Sequence, residues 1–553
     1  MSKLKLIPIG GLGEIGRNMM VLEYDEDIIV IDAGIMFPEE DMLGIDLVIP
    51  DISYLLKNRE RVRGIIITHG HEDHVGALPY VLTQLNVPVY STGLAQGIIS
   101  VKLKESRTAP HNAKLIRFEA GDTFKLGKFV IESFPVCHSI PDAVGFIIQT
   151  PVGKIVHTGD FKIDYTPVDG KPTNLNRLAQ VGGEGVLLLL SDSTYAEAPG
   201  YTASEKVVGD TLEQTIANAT GRVIITTFAS LVSRMQQVID AASRHNRRVS
   251  IVGRSMVDIA RMALKMGYLR APDGILGQIE EMRNLPPEKV VIMTTGSQGE
   301  PTSGLVRIAN KDHRQISIIP GDAVIISASP IPGNESLVNR TIDSLLKQGA
   351  KVYYDKVAPV HVHGHASQEE LKLILNLIRP RFFVPVHGEY RHLSQHAQLA
   401  QSLGMTKENI FVLEDGDILE INRDKASLDG KITLNDVYVD GLSVGEIGGV
   451  VLQNRRMLSH DGVVVVIMTI NHQAGRIVGQ PEVVSSGFVN NEEAKGEEIM
   501  EQARQVVAES LNRNQMARIE GEWASNKAKE ALSRFLYEKT GRHPVILPVV
   551  LDA

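Results

Sequence analysis

Thr68-His69-Gly70-His71-Glu72-Asp73-His74 stands at the end of the β-branched run Gly64–Thr68, which predicts a loop that leaves a strand. The loop contains three histidines and one aspartate within six residues. Imidazole suits zinc and manganese, and a carboxylate can bridge two cations or orient water. A single histidine in such a place is typical of a solvated polar turn. Four ligand-type side chains at this spacing indicate a metal site, and they can converge on two cations.

A site for two metals needs further ligands, and candidates stand at the ends of later predicted strands. They are His138, Asp160 and His387, which follow the runs 131–136, 154–157 and 382–386. Each histidine alone is also compatible with a hydrogen-bonded residue of the core. Their order along the chain and their positions at strand ends, beside Gly, Pro or Ser, favour metal ligands.

The bulk composition limits the class of protein. A length of 553 residues is too great for one hydrophobic core, so two to four domains are expected. The single cysteine, Cys137, excludes an intramolecular disulfide and a cysteine-rich zinc site. The amino-terminal residues lack the pattern of a signal peptide, and no apolar run approaches the roughly 20 residues that span a bilayer. The sequence therefore predicts a cytoplasmic protein without a membrane partner.

The charge is unevenly distributed along the chain. A formal net charge of −9 argues against a strong overall attraction to nucleic acid, which usually meets a basic surface. Residues 206–355, however, carry 18 Lys and Arg against 14 Asp and Glu, a net of +4. Because a polyanion responds to the local field, the middle third of the chain is the candidate surface for one.

The order of predicted elements indicates an α/β fold in which one domain is interrupted by another. Short β-branched runs alternate with turns up to about Ser204, and strand and helix patterns typical of a parallel sheet follow. The last hundred residues contain two predicted long helices, Asn491–Asn512 and Trp523–Lys539. The expected domains are 1–204 and 356–446 for the interrupted domain, 205–355 for the insertion, 447–460 for a linker and 461–553 for a small carboxy-terminal α/β unit.

The His-x-His-x-Asp-His loop, followed by single His, Asp and His residues, resembles the metallo-β-lactamase superfamily, whose fold is an αβ/βα sandwich. The resemblance implies two divalent metal ions per subunit, with Zn²⁺ favoured over Mn²⁺ or Mg²⁺. It implies that one metal is held by His69, His71 and His138, the second by Asp73, His74 and His387, and that Asp160 bridges them. Asp73 is also assigned to catalysis. Asp32, in Ile31-Asp32-Ala33-Gly34, would support the metal loop from behind.

The segment between Asp192 and His387 resembles the β-CASP branch of that superfamily, which acts on nucleic acids. Asp192 in LSDST, His365 in HVHGHAS and His387 in PVHGEY are similar to its motifs A, B and C. The stretches GGLGEIGRN, HTGDFK, TTGSQGEP, SPIPGNE, PVHGEYRHL and EKTGRHPVILPV are together similar to the ribonuclease J family over nearly the whole chain. Motif B has His363 where the form typical of the family has Ser.

The resemblance implies a metal-dependent ribonuclease that trims 5′-monophosphorylated, single-stranded RNA in the 5′→3′ direction, with endonuclease activity as well, in RNA maturation and mRNA decay. His365 would be the general acid and Asp192 its orienting partner. The implied RNA phosphate pocket comprises Ser327, Ser329, His363, Gly364, His365, Ala366 and Ser367. A homodimer or homotetramer, and partners in an RNA-degradation complex, are implied as well.

Other functions remain open at this point. A DNA nuclease is one, because nothing in the sequence identifies a reader of the 2′-hydroxyl. A catalytically inactive RNA-binding or scaffold subunit is another, although the complete set of seven ligand-type residues favours an active enzyme. The long insertion argues against a hydrolase of small esters, whose compact fold needs no such cover.

One motif points away from this chemistry. Gly11-x-Gly13-x-x-Gly16 matches the dinucleotide-binding fingerprint. That fingerprint requires a helix after the glycines, but Asn18–Tyr24 and Ile28–Asp32 are strand-like. The sequence therefore predicts a glycine-rich turn between strands.

Overall fold

The computed structural model describes residues 3–39, 41–331, 334–471, 476–489, 494–512 and 520–553. It divides into two compact units, and each has a hydrophobic core of its own. The first unit comprises the chain up to Phe37 and Leu47–Val437, and the second comprises Pro38–Asp46 and Tyr438–Ala553. The large first unit contains both the interrupted domain and the insertion.

The first part of the interrupted domain is rich in strands, as predicted. Its strands are β1 (Leu4–Gly10), β2 (Met19–Tyr24), β3 (Asp27–Ile31), β4 (Leu47–Ile49), β5 (Val62–Ile66), β6 (Val89–Ser91), β7 (Leu115–Arg117), β8 (Thr123–Leu126), β9 (Phe129–Pro135), β10 (Val144–Gln149), β11 (Lys154–His157) and β12 (Leu188–Asp192). Its helices are α1 (Ser53–Lys57), α2 (Glu72–Val75), α3 (Leu78–Gln84), α4 (Gly93–Glu105) and α5 (Leu175–Glu184), with a 3-10 turn at Arg59–Arg61.

The inserted domain is a parallel sheet with helices. Its helices are α6 (Glu205–Asn218), α7 (Val232–Arg244), α8 (Arg254–Met266), α9 (Ile279–Met282), α10 (Gly304–Ala309) and α11 (Glu335–Lys347), with a 3-10 turn at Pro287–Lys289. Its strands are β13 (Val223–Thr226), β14 (Arg248–Ile251), β15 (Val290–Thr294), β16 (Ala323–Ile326) and β17 (Lys351–Tyr353), in the order β14-β15-β13-β16-β17. β13, β15 and β16 are buried along their whole length, as expected for strands covered on both faces.

The chain then returns to the interrupted domain and completes a sandwich of two sheets. The returning elements are α12 (Gln368–Ile378), β18 (Phe382–Val386), α13 (Tyr390–Ser402), a 3-10 turn at Lys407–Asn409, β19 (Asp417–Ile421) and β20 (Ala426–Lys431). One sheet has the order β20-β19-β1-β2-β3-β5-β6-β7 and the other β18-β12-β11-β10-β9-β8. Apolar residues of both sheets, such as Leu22 and Phe146, form one core between them. A second core packs the six-stranded sheet against α5 and α12.

The strand order brings the predicted ligands to one edge of the sandwich. β11, β12 and β18 are parallel neighbours, and Asp192 at the end of β12 is in register with Val386 at the end of β18. Asp160 and His387 follow the carboxyl ends of β11 and β18. Because carboxyl ends of parallel neighbours share an edge of a sheet, these three residues meet there.

The second unit is a three-stranded sheet with two long helices. Its elements are β21 (Val437–Asp440), which begins at the boundary, β22 (Ser443–Val444), α14 (Gly449–Asp461), β23 (Val463–Asn471), β24 (Arg476–Ser486), α15 (Ala494–Asn512), α16 (Gly521–Thr540) and β25 (Val545–Asp552). One face of the sheet β24-β23-β25 packs on α15 and α16 through residues such as Val464 and Met468. The opposite face is apolar as well: Val484 and Leu547 are 47% and 52% exposed there.

Two sequence predictions need correction in this part of the chain. The predicted linker 447–460 is the helix α14 over most of its length; Leu452 is buried, and Arg455 forms an ion pair with Asp440. Residues 438–446, expected in the interrupted domain, belong to the second unit. The helix predicted over 491–512 is observed from Ala494, and residues 491–493 lie outside the described part of the chain. Within the described residues no helix is long and apolar enough to cross a membrane.

Candidate metal centre and active site

Three histidines direct one ring nitrogen each toward a common point. His71 Nδ1 lies 3.0 Å from His69 Nε2 and 3.1 Å from His138 Nε2. The three imidazole rings are steeply inclined to one another, with centroids 4.7–4.9 Å apart. They therefore meet through their nitrogen atoms and do not stack face to face. Lone pairs this close repel one another unless a proton or a cation lies between them. The arrangement therefore fits a metal ion with imidazole ligands.

A second cluster adjoins the first and shares a carboxylate with it. Its members are Asp73, His74, Asp160 and His387, with ligand atoms within 4.8 Å of one another. Asp160 Oδ2 lies 3.1 Å from His74 Nε2 and 3.8 Å from His69 Nε2, so it faces both clusters. His387 Nε2 is buried without a hydrogen bond, 3.5 Å from Asp73 Oδ2. A buried nitrogen with an unused lone pair fits a cation in this cluster too.

The structure thus brings all seven predicted ligands together, in two groups with Asp160 between them. Nitrogen and carboxylate donors of this kind suit Zn²⁺ and Mn²⁺. The arrangement supports the binding of divalent metal by this chain.

Asp32 supports the metal loop from behind, in the place that the sequence predicted. Its Oδ2 is 2.8 Å from His74 Nδ1 and accepts a hydrogen bond of 2.8 Å from Thr68 Oγ1, while its Oδ1 accepts one from Thr68 N. Because the carboxylate accepts the proton on Nδ1, His74 presents Nε2 to the cluster. Asp32 adopts a φ of 63°, a conformation that is rare for a non-glycine residue and frequent at functional sites.

The glycine-rich turn lies between β1 and β2, as predicted, and packs beside the metal ligands. Gly13 N donates to Gly388 O at 3.0 Å, next to His387. Asn18, at the end of the turn, donates to Asp73 O from its backbone N at 3.0 Å and from Nδ2 at 3.1 Å. The turn therefore fixes two segments that carry candidate metal ligands, Asp73 and His387. Asn18 carries no recognisable signal in the sequence, because its role depends on a residue 55 positions away.

The imidazoles of the cluster fall into two electrostatic groups. Burial, and then the neighbouring imidazoles, lower the pKa of His69 and His138, and burial lowers the pKa of His71 to about 4. Burial also opposes the charged forms of His74 and His387, but the nearby carboxylates outweigh it and raise the pKa of both. A neutral imidazole can bind a cation directly, whereas a charged one must release its proton first.

His365 and Asp192 form a hydrogen-bonded pair beside the metal cluster. His365 Nδ1 is 2.8 Å from Asp192 Oδ2 and 3.9 Å from Asp160 Oδ2. Burial opposes the imidazolium form, but the carboxylate of Asp192 outweighs burial and raises the pKa of His365 to about 9. Thr194 N and Oγ1 donate to Asp192 Oδ1 at 3.0 and 2.8 Å, which leaves Oδ2 for His365. A proton-carrying imidazole therefore lies next to the metal ligands.

Tyr195 stacks on motif B and was missed by the sequence analysis. Its ring centroid lies 3.5 Å from that of His363, with the planes 10° apart, and 5.8 Å from that of His365. The stack holds the His363 ring beside the candidate general acid. An aromatic residue three positions after Asp192 was the available signal, but its partner is visible only in the fold.

The predicted phosphate-binding residues differ in their exposure. Ser329, His363 and His365 are partly exposed, whereas Ser327, Gly364, Ala366 and Ser367 are buried. Ser327 Oγ donates to Val360 O at 2.7 Å and accepts a hydrogen bond from Arg234, and Ser367 Oγ bonds Thr202 Oγ1 at 2.9 Å. These two hydroxyls are therefore engaged inside the protein by partners from distant segments, and phosphate binding by the two residues stays a prediction.

Two buried cationic side chains lie behind motif B. Lys162 lies 3.6 Å from Asp164 Oδ2, and Arg234 Nη2 donates to Glu205 Oε2 at 2.6 Å. Burial, and then Arg234, lower the pKa of His361, at the start of motif B, to about 3. Both cations are paired with buried carboxylates, those of Asp164 and Glu205, so these four groups together carry no net charge. Neither Lys162, in HTGDFK, nor Arg234 was assigned a role from the sequence.

Four family models match successive parts of the chain. The model described as Metallo-beta-lactamase superfamily matches residues 12–192, and Ribonuclease J, beta-CASP domain matches 220–345. Zn-dependent metallo-hydrolase RNA specificity domain matches 349–413, and Ribonuclease J C-terminal domain matches 450–553. The matches follow the order of the interrupted domain, its insertion, the return and the second unit.

Full-length relatives agree with the family models. The chain is 45% identical to Ribonuclease J 1 of Streptococcus pyogenes serotype M3, over 100% of this chain and 98% of the relative. It is 42% identical to Ribonuclease J2 of Bacillus subtilis, over 100% and 99%, and 43% identical to Ribonuclease J of Thermus thermophilus, over 99% and 95%. A solved protein of unknown function from Enterococcus faecalis shares the fold, with a TM-score of 0.53 and 16% identity over 76% of this chain and 100% of that one.

Proposed function

The chain belongs to the ribonuclease J family, and from this premise we propose that it is a metal-dependent ribonuclease that shortens single-stranded RNA from its 5′ end and also cleaves internally. One observation carries the proposal. The proton-carrying His365 lies 3.9 Å from the carboxylate that joins the two ligand clusters. His365, the proposed acid for the leaving group, thus lies beside the clusters that would hold the metals and activate a water.

The seven clustered residues would hold two divalent cations, with Zn²⁺ favoured over Mn²⁺ or Mg²⁺ because most of the donors are imidazoles. When bound, such a pair supplies an activated water near neutral pH and neutralises charge on a phosphoryl group. His69, His71 and His138 would form the first site, and Asp73, His74 and His387 the second. Asp160 would bridge them, since its Oδ2 faces both groups.

His365 would donate its proton to the leaving 3′-oxygen of the RNA. Its raised pKa, about 9, keeps the imidazole protonated at neutral pH. Asp192 fixes the ring through Nδ1 and stabilises the charge, so that Nε2–H is available on the other side of the ring. The cut would leave a 5′-phosphate and a 3′-hydroxyl. The next terminal phosphate would then be of the same kind as the one just removed.

The 5′-monophosphate would lie beside the partly exposed His363 and Ser329. The protonated His365 favours an anion there, whereas Lys162 and Arg234 behind motif B are already paired with buried carboxylates. Ser327 and Ser367 would hold the segments that line this pocket in place, because their hydroxyls form hydrogen bonds inside the protein. A pocket shaped for one doubly charged phosphate would disfavour the larger triphosphate and the uncharged hydroxyl. The result would be 5′→3′ trimming in RNA maturation and mRNA decay.

The complete ligand set favours an active enzyme over an inactive RNA-binding subunit. We further propose that the second unit joins copies of the chain into a homodimer or homotetramer, because one face of its sheet exposes Val478, Val484, Leu547 and Leu551. An apolar face of this kind is typical of a surface that another protein covers. We also propose that the enzyme acts in the cytoplasm, where partners of RNA degradation would meet it.

The test is cleavage of one RNA sequence with three different 5′ ends. Purified protein is incubated with 3′-labelled RNA that carries a 5′-monophosphate, triphosphate or hydroxyl, and with the corresponding single-stranded DNA, each with and without a chelator. We expect chelator-sensitive cleavage that is fastest on monophosphorylated RNA. Equal rates on the three RNA ends would show that no pocket selects the 5′-monophosphate. Preference for DNA would make the protein a DNA nuclease. Binding of RNA without cleavage would make it an inactive subunit.

A further inference from the structure

Helix α4 lies between the metal loop and the inserted domain, and it contacts both. On the side of the metal loop, a Cβ at Gly70 would lie 2.7 Å from Ile98 Cδ1 and 3.4 Å from Ala95 Cα, so the helix fits closely against the residue between His69 and His71. Lys102, in the last turn of the helix, forms an ion pair with Glu72. Any displacement of α4 would therefore reach the metal-binding loop.

On its other side, α4 packs against helix α8 of the inserted domain. Gly97 leaves room for the sulfur atoms of Met262 and Met266, and a Cβ at Gly97 would lie 2.8 Å from Met266 Sδ. At the start of α4, a Cβ at Gly93 would lie 2.5 Å from the hydroxyl oxygen of Tyr268. The inserted domain is therefore seated on the first half of α4, and we call this contact its seat.

Tyr268 links this seat directly to a metal-binding loop. Its hydroxyl donates a hydrogen bond to Asp142 Oδ2, and the same carboxylate oxygen lies 3.5 Å from the backbone N of Leu94. Thr92 Oγ1 donates to Asp142 O at 2.9 Å, so side chain and backbone of Asp142 are both held. Asp142 adopts a φ of 66°, a conformation that an aspartate tolerates but does not favour.

Asp142 and the metal ligand His138 belong to one short loop between β9 and β10. The loop is closed by a hydrogen bond of 3.1 Å from Val136 N to Ala143 O. His138 has a second restraint, since its Nδ1 donates to Gly364 O at 2.8 Å. The position of the His138 ring thus depends on the hydrogen bond that closes the loop, on Gly364, and on the residues that hold Asp142.

We propose that Tyr268 is a positioning residue for the metal centre: through its hydrogen bond to Asp142, the seat of the inserted domain on α4 fixes the loop that carries His138. The inference rests on the proposed function for its role in cleavage, but its first consequence is for metal binding. With the hydroxyl removed, Asp142 keeps its contacts with Thr92, Leu94 and Lys171 but loses its link to the inserted domain, and the His138 imidazole is held less well in the first metal site. RNA contacts are unchanged, because Tyr268 itself is not assigned to them.

The test compares Tyr268→Phe with Tyr54→Phe in the full-length protein. Tyr54 is a matched control, since its hydroxyl also donates to a carboxylate, that of Glu23, within the interrupted domain. For each variant we would measure the Zn²⁺ and Mn²⁺ dissociation constants of the metal-free protein, the melting temperature without metal, and kcat and KM on 5′-monophosphorylated RNA. A third variant, Asp142→Gly, removes the carboxylate and accepts the positive φ without strain.

We expect Tyr268→Phe to weaken metal binding and kcat by about tenfold, the lower end of the range for residues that support metal ligands, with KM unchanged. Tyr54→Phe should show neither effect, and the two melting temperatures should fall alike. The double variant Tyr268→Phe/Asp142→Gly should be no worse than Asp142→Gly alone, because both changes break one contact. Equal metal affinity in Tyr268→Phe and Tyr54→Phe would overturn the inference, as would additive losses in the double variant. The metal titrations keep their meaning even if the wild type cleaves no RNA, so a failure here is distinct from a failure of the proposed function.

Discussion

His138 Nδ1 donates a hydrogen bond to the backbone oxygen of Gly364 at 2.8 Å, which joins a metal ligand to motif B across 226 positions of sequence. A carbonyl oxygen can only accept, so the proton lies on Nδ1, and Nε2 presents its lone pair to His71 and the metal site. Gly364 leaves the room for this contact, because a Cβ there would lie 2.5 Å from His138 Cε1 and 2.6 Å from Nδ1. A residue predicted to bind phosphate thus also orients a metal ligand.

Gly364→Ala should therefore displace the His138 ring. We expect metal affinity and cleavage to fall on the order of 10- to 100-fold, as for other residues that orient a metal ligand. Metal titration and single-turnover cleavage would measure both effects. The matched control is Gly183→Ala in α5, where nothing lies within 4 Å of the new Cβ. That control should leave activity intact and stabilise the helix by about 0.5–1 kcal/mol, and an equal loss of metal in both variants would contradict the role of Gly364.

His74→Ala should abolish cleavage while leaving RNA affinity largely unchanged. His74 Nε2 lies 3.1 Å from Asp160 Oδ2 and 3.5 Å from Asp73 Oδ2, so its removal opens the second metal site. Metal analysis should show about one ion per chain instead of two, and RNA binding would be measured by anisotropy without turnover. Near-normal turnover with unchanged metal content would show that the site holds no second metal.

His365→Ala should cost on the order of 10²–10⁴ in single-turnover rate, the usual contribution of a positioned acid. Asp192→Asn should act in the same direction, since an amide does not stabilise the imidazolium. The double variant should be little worse than His365→Ala, because the two residues act as one unit. Metal content is the decisive control: Asp160, Asp192, His365 and His387 also bring ligand atoms within 4.8 Å of one another, so a loss of metal in His365→Ala would make it a ligand rather than an acid.

Asp415 should make the stability of the protein depend on pH. Burial, and then Glu14, raise the pKa of this carboxyl to about 7, whereas its ordinary value is about 3.9. Between about pH 4 and 7 the folded protein keeps a proton that the unfolded chain has released, so the free energy of unfolding falls as pH rises through this window. The stabilising contribution is complete below about pH 4 and lost above about pH 7.

The variant Asp415→Asn cannot ionise, and its amide oxygen can still accept the hydrogen bond that Leu12 N donates to Asp415. Relative to wild type, it should gain stability between pH 5 and pH 8, by at most a few kcal/mol. Urea denaturation across that range would measure the gain. Asp424→Asn, at a side chain that is 91% exposed, should show no such slope. If the free energy of unfolding differed between Asp415→Asn and wild type by the same amount at all pH values, the raised pKa of Asp415 would be refuted.

The bounds of strands with a strong local sequence pattern were predicted closely. The bounds of helices beside the candidate metal centre were not. The strands Lys154–His157 and Phe382–Val386 are observed as predicted, because each has β-branched or apolar residues at its centre and clear breaks at both ends. The sequence also predicts one helix over residues 75–85, but the structure divides this stretch between the end of α2 and α3. Gly76 lies at the break, where a Cβ would lie 2.8 Å from Ile35 Cγ1. The periodicity of apolar residues does not show that the first helical turn, α2, contains ligand-type residues of the metal loop.

The ligand set could be predicted because each ligand has a recognisable residue type at a strand end. Hydroxyl groups carry less information, since a serine at a strand end is equally suited to bind a ligand or to bond its own protein. Ser327 illustrates this, because its partner Arg234 stands 93 positions earlier and on another element. The stack of Tyr195 on His363 was beyond prediction for the same reason.

The pairing of β12 with β18 has a consequence for the protein during its own synthesis. Thr194 Oγ1 lies 3.4 Å from His387 O although 193 positions separate them, and the whole inserted domain lies in between. A ribosome that has released the first two hundred residues has produced six of the seven ligands but neither His365 nor His387. The nascent chain therefore has no complete centre until the insertion has been translated and β12 and β18 have paired. Closing so long a loop costs little more entropy than closing a short one, since the cost grows only with the logarithm of length. Assembly of the site is thus timed by translation at a small cost in stability.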